Sequence, residues 1–406
     1  MVTILLSAGD LSGEAYAAAL VEALRKRLPG TRFVGLGGEK MRAAGVEIVV
    51  DQRELAVGGI VELIPELGRI ARAWRRLTRA LAEIRPDLVV LVDSGGFNLP
   101  FAGHVRRTSD ARILYFIAPQ VWAWRPGRIG RLAARADCIT VCLPFERDHH
   151  AQAGVAVDYY GHPVVDAFAT ARRAEPVATT SAERRRRVRR ELELPQDAPL
   201  LGIFPGSRRS EFARYLPLEL AGFLRWREQS AQFAGAVAVI GLAAGLTEAD
   251  ARRAAREAFA RAPESIRCVA TGNGALFDAL DLALTKPGTI TLEAALRGCP
   301  MVVVGRVHPL TAWLVRRSVR VARVALPNLL VGEEIVPELL QQDATPDRIA
   351  AALAALFEGP ARERQLAGLA VAVERLGPPG AIEGTAALVE QMVEKRMEAR
   401  LGSARA

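Results

Sequence analysis

"DLVVLVDSGGFN" (residues 87–98) sets an unbroken apolar row, Leu88 to Val92, in front of a carboxylate, Asp93, and the turn formers Ser94, Gly95 and Gly96. A short run with no alternation predicts a strand covered on both faces, the kind found in parallel sheets flanked by helices. Two readings of its exit stand side by side. Asp starts turns and Gly permits them. Ligand sites in open α/β sheets also lie beyond the carboxyl ends of the strands, where Asp93 falls.

The neighbouring sequence repeats the pattern. "VTILLSAGD" (2–10), "TRFVGLGG" (31–38), "ARILYFIAP" (111–119), "ADCITVCLP" (136–144) and "VDYYGHP" (157–163) read as strands, with "SGEAYAAALVEALRKRL" (12–28) as a helix. After an arginine-rich stretch the alternation restarts with "LLGIFPGS" (200–207), "AVAVIGL" (236–242), "SIRCVA" (265–270), "LDLALTKPG" (280–288) and "CPMVVVG" (299–305). Strands separated by helices predict parallel sheets with right-handed crossovers. At 406 residues the chain is long for one core. The expected organisation is an α/β domain over 1–170, a basic linker over 171–197, a second α/β domain over 198–375 and a C-terminal helix over 376–406. That last helix returns to the first domain or meets a partner.

Half the residues are hydrophobic (50%) and 24% are charged, as in a soluble globular protein. The net charge of +9 admits nucleic acid, an anionic membrane surface or a phosphorylated substrate as partner. Cys138, Cys142, Cys268 and Cys299 have no CxxC or zinc spacing and read as small buried hydrophobes in a reducing compartment. "MVTILLSAGD" lacks the basic flank of an export signal and reads as a first strand. No run is long enough to span a bilayer, so a cytoplasmic protein is expected. Neither GxGxxG nor GxxxxGK[ST] occurs in a strand–turn–helix setting, which argues against a nicotinamide enzyme or a kinase.

Several turns carry candidate chemistry. "FPGSRRSE" (204–211) leaves a strand through Gly206 and Ser207 toward a helix start, where backbone N–H groups and Arg208 suit a phosphate; an ordinary turn is the plain alternative. Gly272, Asn273 and Gly274 form a second glycine turn. In "TKPGTITLEAALRG" (285–298), Thr289 or Thr291 is expected to cap a helix and Glu293 lies in its first turn. A carboxylate there suits the helix dipole, or a pair of ribose hydroxyls. Ser12 and Gly13 occupy a strand-to-helix turn in the first half, and Gln120, Trp124 and Arg125 follow another strand. Over 54–81, Ile60, Leu63, Ile64, Leu67, Ile70, Trp74 and Leu77 keep helical spacing opposite a row of arginines. Such a helix faces a core or lies on a membrane.

Together "AGDLSGE", "RFVGLGG", "ELAVGGIVE", "VDSGGFN", "PQVWAWR", "LPFE", "GHPVVD", "PGSRRSE", "GTITLE", "CPMVVV" and "LPNLL" resemble, in order and over nearly the whole chain, the lipid-A-disaccharide synthases. The resemblance implies a GT-B architecture, with two Rossmann-like domains whose parallel sheets face a central cleft. It implies an inverting glycosyltransferase using UDP-2,3-diacylglucosamine and 2,3-diacylglucosamine 1-phosphate, with no cofactor, no metal and no nucleic acid. It further implies a peripheral protein on the anionic inner-membrane surface, touching it through Ile60, Leu63, Ile64 and Leu67; a homodimer stays open. By match to family motifs, Asp93, Arg208 and Asn328 would be catalytic. Gly206, Ser207, Arg208, Gly272, Asn273, Gly274, Thr289 and Glu293 would hold UDP. Ser12, Gly13, Asn98, Gln120, Trp124 and Arg125 would meet the acceptor. Two departures stand out: "GDLSGE" where the family often has "GEASGD", and Pro287 where it often has Ser. The alternatives are another GT-B UDP-sugar enzyme, of the lipid-II-glycosyltransferase or UDP-N-acetylglucosamine 2-epimerase type, or a non-enzymatic membrane- or RNA-binding protein using the arginine run.

Overall fold

The computed structural model describes residues 1–55, 60–120, 129–175, 180–258, 265–270, 274–307 and 323–405. The chain forms two units. One takes Met1–Asp166 and Pro378–Ala406, and the other begins at Ala167 and ends at Gly377.

The first unit is a seven-stranded sheet in the order β3-β2-β1-β4-β5-β6-β7. Its strands are β1 (Thr3–Ala8), β2 (Arg32–Gly37), β3 (Glu47–Asp51), β4 (Leu88–Val92), β5 (Arg112–Phe116), β6 (Cys138–Val141) and β7 (Asp158–Tyr159). Every pairing is parallel, with β1 between β2 and β4. Leu88 to Val92 are all buried, as their unbroken apolar run requires. The β3 edge strand went unread in the sequence, because "EIVVD" is short and bounded by charges.

Helix α1 (Leu11–Arg27) buries Ala17, Leu20, Val21 and Leu24, a stripe at helical spacing. The C-terminal helix Ala381–Arg405 packs on α1. Arg27 bonds Glu383 and Glu390, each at 3.0 Å, and Arg400 pairs with Asp87. Asp166, the last residue of "GHPVVD", accepts the N–H groups of Gly380 (2.6 Å) and Ile382 (3.3 Å) and so starts that helix.

The second unit is a six-stranded parallel sheet in the order β10-β9-β8-β11-β12-β13. These are β8 (Leu200–Phe204), β9 (Val237–Leu242), β10 (Ile266–Ala270), β11 (Leu282–Thr285), β12 (Met301–Gly305) and β13 (Glu338–Leu340). The three-residue β13, also unread in the sequence, is again an edge. Leu216, Leu220, Phe223 and Trp226 of the Arg209–Glu228 helix cover one core against the sheet.

The arginine run is a helix, Ser181–Glu191, opened by a capping box between Thr180 and Glu183. Four of its six arginines pair with carboxylates of the same unit. Arg189 is buried against Asp281 (2.9 Å) and the Ala279 carbonyl (2.9 Å), and Arg185 bonds Asp281 at 2.6 Å. Arg184 and Arg187 pair with Glu175 at 2.8 and 3.2 Å. Of the arginines an RNA-binding reading relied on, these four are engaged within the unit, while Arg186 and Arg190 are exposed. Cys142 and Cys299 are buried and all four cysteines are free thiols.

Candidate active site

In each sheet the strand order reverses at one place, and the crevice beyond those strand ends is where open α/β folds hold ligands. In the first unit the reversal lies between β1 and β4, so Gly9-Asp10 and Asp93-Ser94 enter the crevice together. Asp93 and Ser94 are consecutive non-glycine residues in the left-handed region, with φ of 43° and 46°. Such a conformation costs of order 1–3 kcal/mol per residue and persists where surrounding bonds over-determine it.

Those bonds are present. The Asp93 N–H faces the carbonyls of Ile117 (3.2 Å) and Phe116 (3.3 Å). The Asp93 carbonyl accepts the Tyr115 hydroxyl at 2.8 Å and the Asn98 amide at 3.1 Å. Asn98 also donates to the carbonyls of Val92 (2.9 Å) and Ser7 (3.1 Å) and accepts the Ser7 hydroxyl at 2.6 Å. It is fully buried and locks the ends of β1 and β4. Ser94 Oγ accepts the Gly9 N–H and donates to Asp10 Oδ2, each at 3.2 Å. A Cβ on Gly95 would stand 2.7 Å from Pro119, so that glycine answers to packing, whereas Gly96 has open space. Burial pushes the Tyr115 hydroxyl well above its usual range, and the Asp93 charge adds to this. Tyr115 therefore stays a proton donor to the backbone.

The two acids of "GDLSGE" divide their tasks. Asp10 caps α1 through the Gly13 N–H at 2.7 Å while its other oxygen meets Ser94. Glu14 is buried and accepts the N–H groups of Lys40 (2.7 Å) and Met41 (3.4 Å) at the start of α2 (Glu39–Ala43), with the Gln52 amide beside it. Ser12 is exposed and Gly13 buried; Gln120 is half-buried. Trp124 and Arg125 lie outside the described residues. His162 packs edge-on to Tyr16 at 5.9 Å, and burial lowers its pKa to about 3, which leaves a neutral ring.

In the second unit the reversal lies between β8 and β11, and its loops are basic. Arg208 starts the Arg209–Glu228 helix, which has no side-chain cap. Glu211 in that helix's first turn accepts Arg208 at 3.1 Å and pairs with Lys286, just past β11, at 2.9 Å. Gly206 has φ 120°, and a Cβ there would come within 2.6 Å of the Glu211 carboxylate. Ser207 is exposed. Thr289 opens the Ile290–Leu296 helix without capping it, and Thr291 Oγ1 donates back to the Gly288 carbonyl at 2.8 Å. Thr289 takes the expected N-cap position with helical φ and ψ, and its side chain makes no capping hydrogen bond. Glu293 lies half-buried with its Oε2 3.1 Å from the position a Cβ on Gly274 would take. Arg297 beside it pairs with Asp278 and stacks over Phe168 at 5.4 Å. Gly272 and Asn273 lie outside the described residues.

Asn328 lies in the short helix Leu326–Val331. It is fully buried, its amide donating to the Val336 carbonyl and Glu338, each at 2.8 Å. Its oxygen accepts the N–H groups of Val336 (2.8 Å) and Ile335 (2.9 Å). These bonds hold the turn before β13.

Helix α3 (Ile60–Ile84) buries Ala73, Leu77 and Leu81, and Trp74 packs edge-on to Phe97 (5.6 Å) and Phe101 (5.8 Å). Its tryptophan thus belongs to the core. Leu67 is 53% exposed; the side chains of Ile60, Leu63 and Ile64 lie outside the described residues. No described helix is long and apolar enough to cross a membrane.

Lys286, Glu211, Asp10 and Ser94 were absent from the expected site. The available signals were a lysine directly after a strand, an acid three residues beyond Arg208, and polar residues flanking the first-unit turns.

Comparison with known proteins then adds the following. The lipid-A-disaccharide synthetase family model matches residues 4–373. A lipid-A-disaccharide synthase of Geobacter sulfurreducens is 38% identical over 401 residues, covering 97% of this chain and 98% of that one. Among solved structures, a putative UDP-N-acetylglucosamine 2-epimerase from Listeria monocytogenes superposes with a TM-score of 0.67 at 13% identity, over 97% of each chain. The calicheamicin glycosyltransferase CalG4 gives 0.55 at 16% identity, over 97% of this chain and 98% of that one. These two likenesses show the fold, which is that of the GT-B glycosyltransferases.

Proposed function

The chain belongs to the lipid-A-disaccharide synthetase family and is a glycosyltransferase that forms a disaccharide from a UDP-sugar, and we propose that its donor is UDP-2,3-diacylglucosamine and its acceptor 2,3-diacylglucosamine 1-phosphate. The products are the β-1,6-linked disaccharide 1-phosphate and UDP. The observation that carries the reading is the pair of switch points, one lined by carboxylates and the other by cations, on two sheets of the same topology.

Inversion at the donor sugar needs a base for the attacking hydroxyl. Asp93 is that base in this reading, and its backbone is pinned by Tyr115 and Asn98. The leaving diphosphate needs cations and N–H groups. Arg208, the uncapped helix start behind it and the turn at Gly206 and Ser207 supply them, and Thr289, Gly274 and Glu293 hold the nucleoside side. Asp10 and Ser94 shape the acceptor crevice beside Ser12 and Gly13. Long acyl chains call for a lipid surface, and exposed Leu67 on α3 supports membrane contact through 60–67.

The test is direct: incubate the protein with synthetic donor and acceptor and measure UDP and disaccharide 1-phosphate by mass spectrometry. UDP release without disaccharide, or no turnover with diacylated sugars alongside turnover of unacylated ones, would refute the substrate assignment.

A further inference from the structure

The second unit's switch point holds a cation that the family resemblance does not assign. Lys286 is the first residue after β11. Its ammonium lies 2.9 Å from Glu211 Oε2, while Arg208 reaches Glu211 Oε1 at 3.1 Å. One buried carboxylate thus carries two cations, one from each of the strands that flank the reversal. Among the described residues Arg208 gives Glu211 one hydrogen bond and Lys286 gives it an ion pair, so most hydrogens of both cations remain for a ligand. The local sum is one net positive charge, set at the uncapped start of a twenty-residue helix whose dipole favours an anion.

The backbone is shaped around this group. Gly206, at φ 120°, leaves room that a Cβ would close, 2.6 Å from Glu211 Oε2 and 3.2 Å from Lys286 Cδ. Pro287 has no N–H to offer an anion at the exit of β11. A side-chain cation therefore stands where a backbone donor is missing.

We propose that Lys286 is a second diphosphate-binding residue of this enzyme, acting with Arg208 and held in position by Glu211. The inference rests on the reading that UDP binds the second unit, and its test separates the two. Calorimetry on the full-length chain compares UDP with uridine for wild type, Lys286→Gln, Lys286→Met and Arg208→Ala. We expect Lys286→Gln to weaken UDP by about tenfold or more while uridine stays within about twofold, because only the charge-assisted phosphate contact is lost. The slope of UDP affinity against salt should fall as well. Lys286→Met keeps the aliphatic stem and serves if the glutamine variant does not fold. Equal losses for UDP and uridine, or a lower melting temperature with UDP affinity unchanged, would overturn the proposal. Failure of the wild type to bind UDP would instead overturn the nucleotide reading of the whole unit.

Discussion

The two units share one topology and differ in what their strand ends present. In the first, the exits of β1 and β4 are tied to each other through Ser94, Asp10 and Asn98, and left-handed backbone holds an acid in place. In the second, the exits of β8 and β11 meet through an ion-paired trio, and a glycine keeps the space clear. The doubly wound sheet determines where a site falls; the few residues after each strand determine its charge. In the proposed mechanism one crevice takes a proton and the other binds an anion.

The contrast breaks first at Asp93. Asn tolerates left-handed φ as well as any non-glycine residue, so Asp93→Asn removes the base while keeping the turn. Turnover should fall by about a thousandfold in single-turnover assays, with UDP affinity within about twofold of wild type; near-normal turnover would remove Asp93 from the base role. Asn98→Ala tests the lock behind it. Losing that amide's bonds to Ser7, Val92 and Asp93 should cost about 2–4 kcal/mol in urea unfolding. A change under about 0.5 kcal/mol would mean the first-unit crevice does not depend on that amide.

A third test belongs to the second unit. Glu219, in the Arg209–Glu228 helix, is fully buried with neither oxygen hydrogen-bonded among the described residues, and burial raises its pKa to about 8. Its folded pKa thus exceeds the unfolded one, near the ordinary 4.5. The resulting stability is fully present below about pH 4.5 and is lost as pH rises through about 8. Glu219→Leu should match wild type at pH 4.5 and exceed it by about 2 kcal/mol or more at pH 8.5, read as melting temperature across that range. A pH-independent difference would contradict the burial argument. The smallest effect concerns Leu67: its replacement by Ser should weaken partition onto anionic vesicles about fivefold, and no change would leave α3 as a core helix only.

Local pattern revealed much of this chain. Leu88 to Val92, Leu200 to Phe204 and Met301 to Gly305 were legible as buried strands because interior parallel strands are apolar on both faces. Asp93, Arg208 and Glu293 were legible as candidates because they follow such strands directly or open the next helix. The edges β3 and β13 were not, since short strands half open to solvent lose that signature. Nor could pattern separate Asp10 from Glu14, or show that Trp74 faces Phe97.

Sequence alone therefore determined two α/β halves and the strand ends at which their chemistry must lie, because backbone periodicity and hydrophobic burial are local properties. Only the tertiary structure decided which polar residues remain for chemistry. Asn98 meets Ser7 across 91 positions of chain and Lys286 meets Glu211 across 75. A buried polar group takes its role from the partner it finds, and that partner is set by packing.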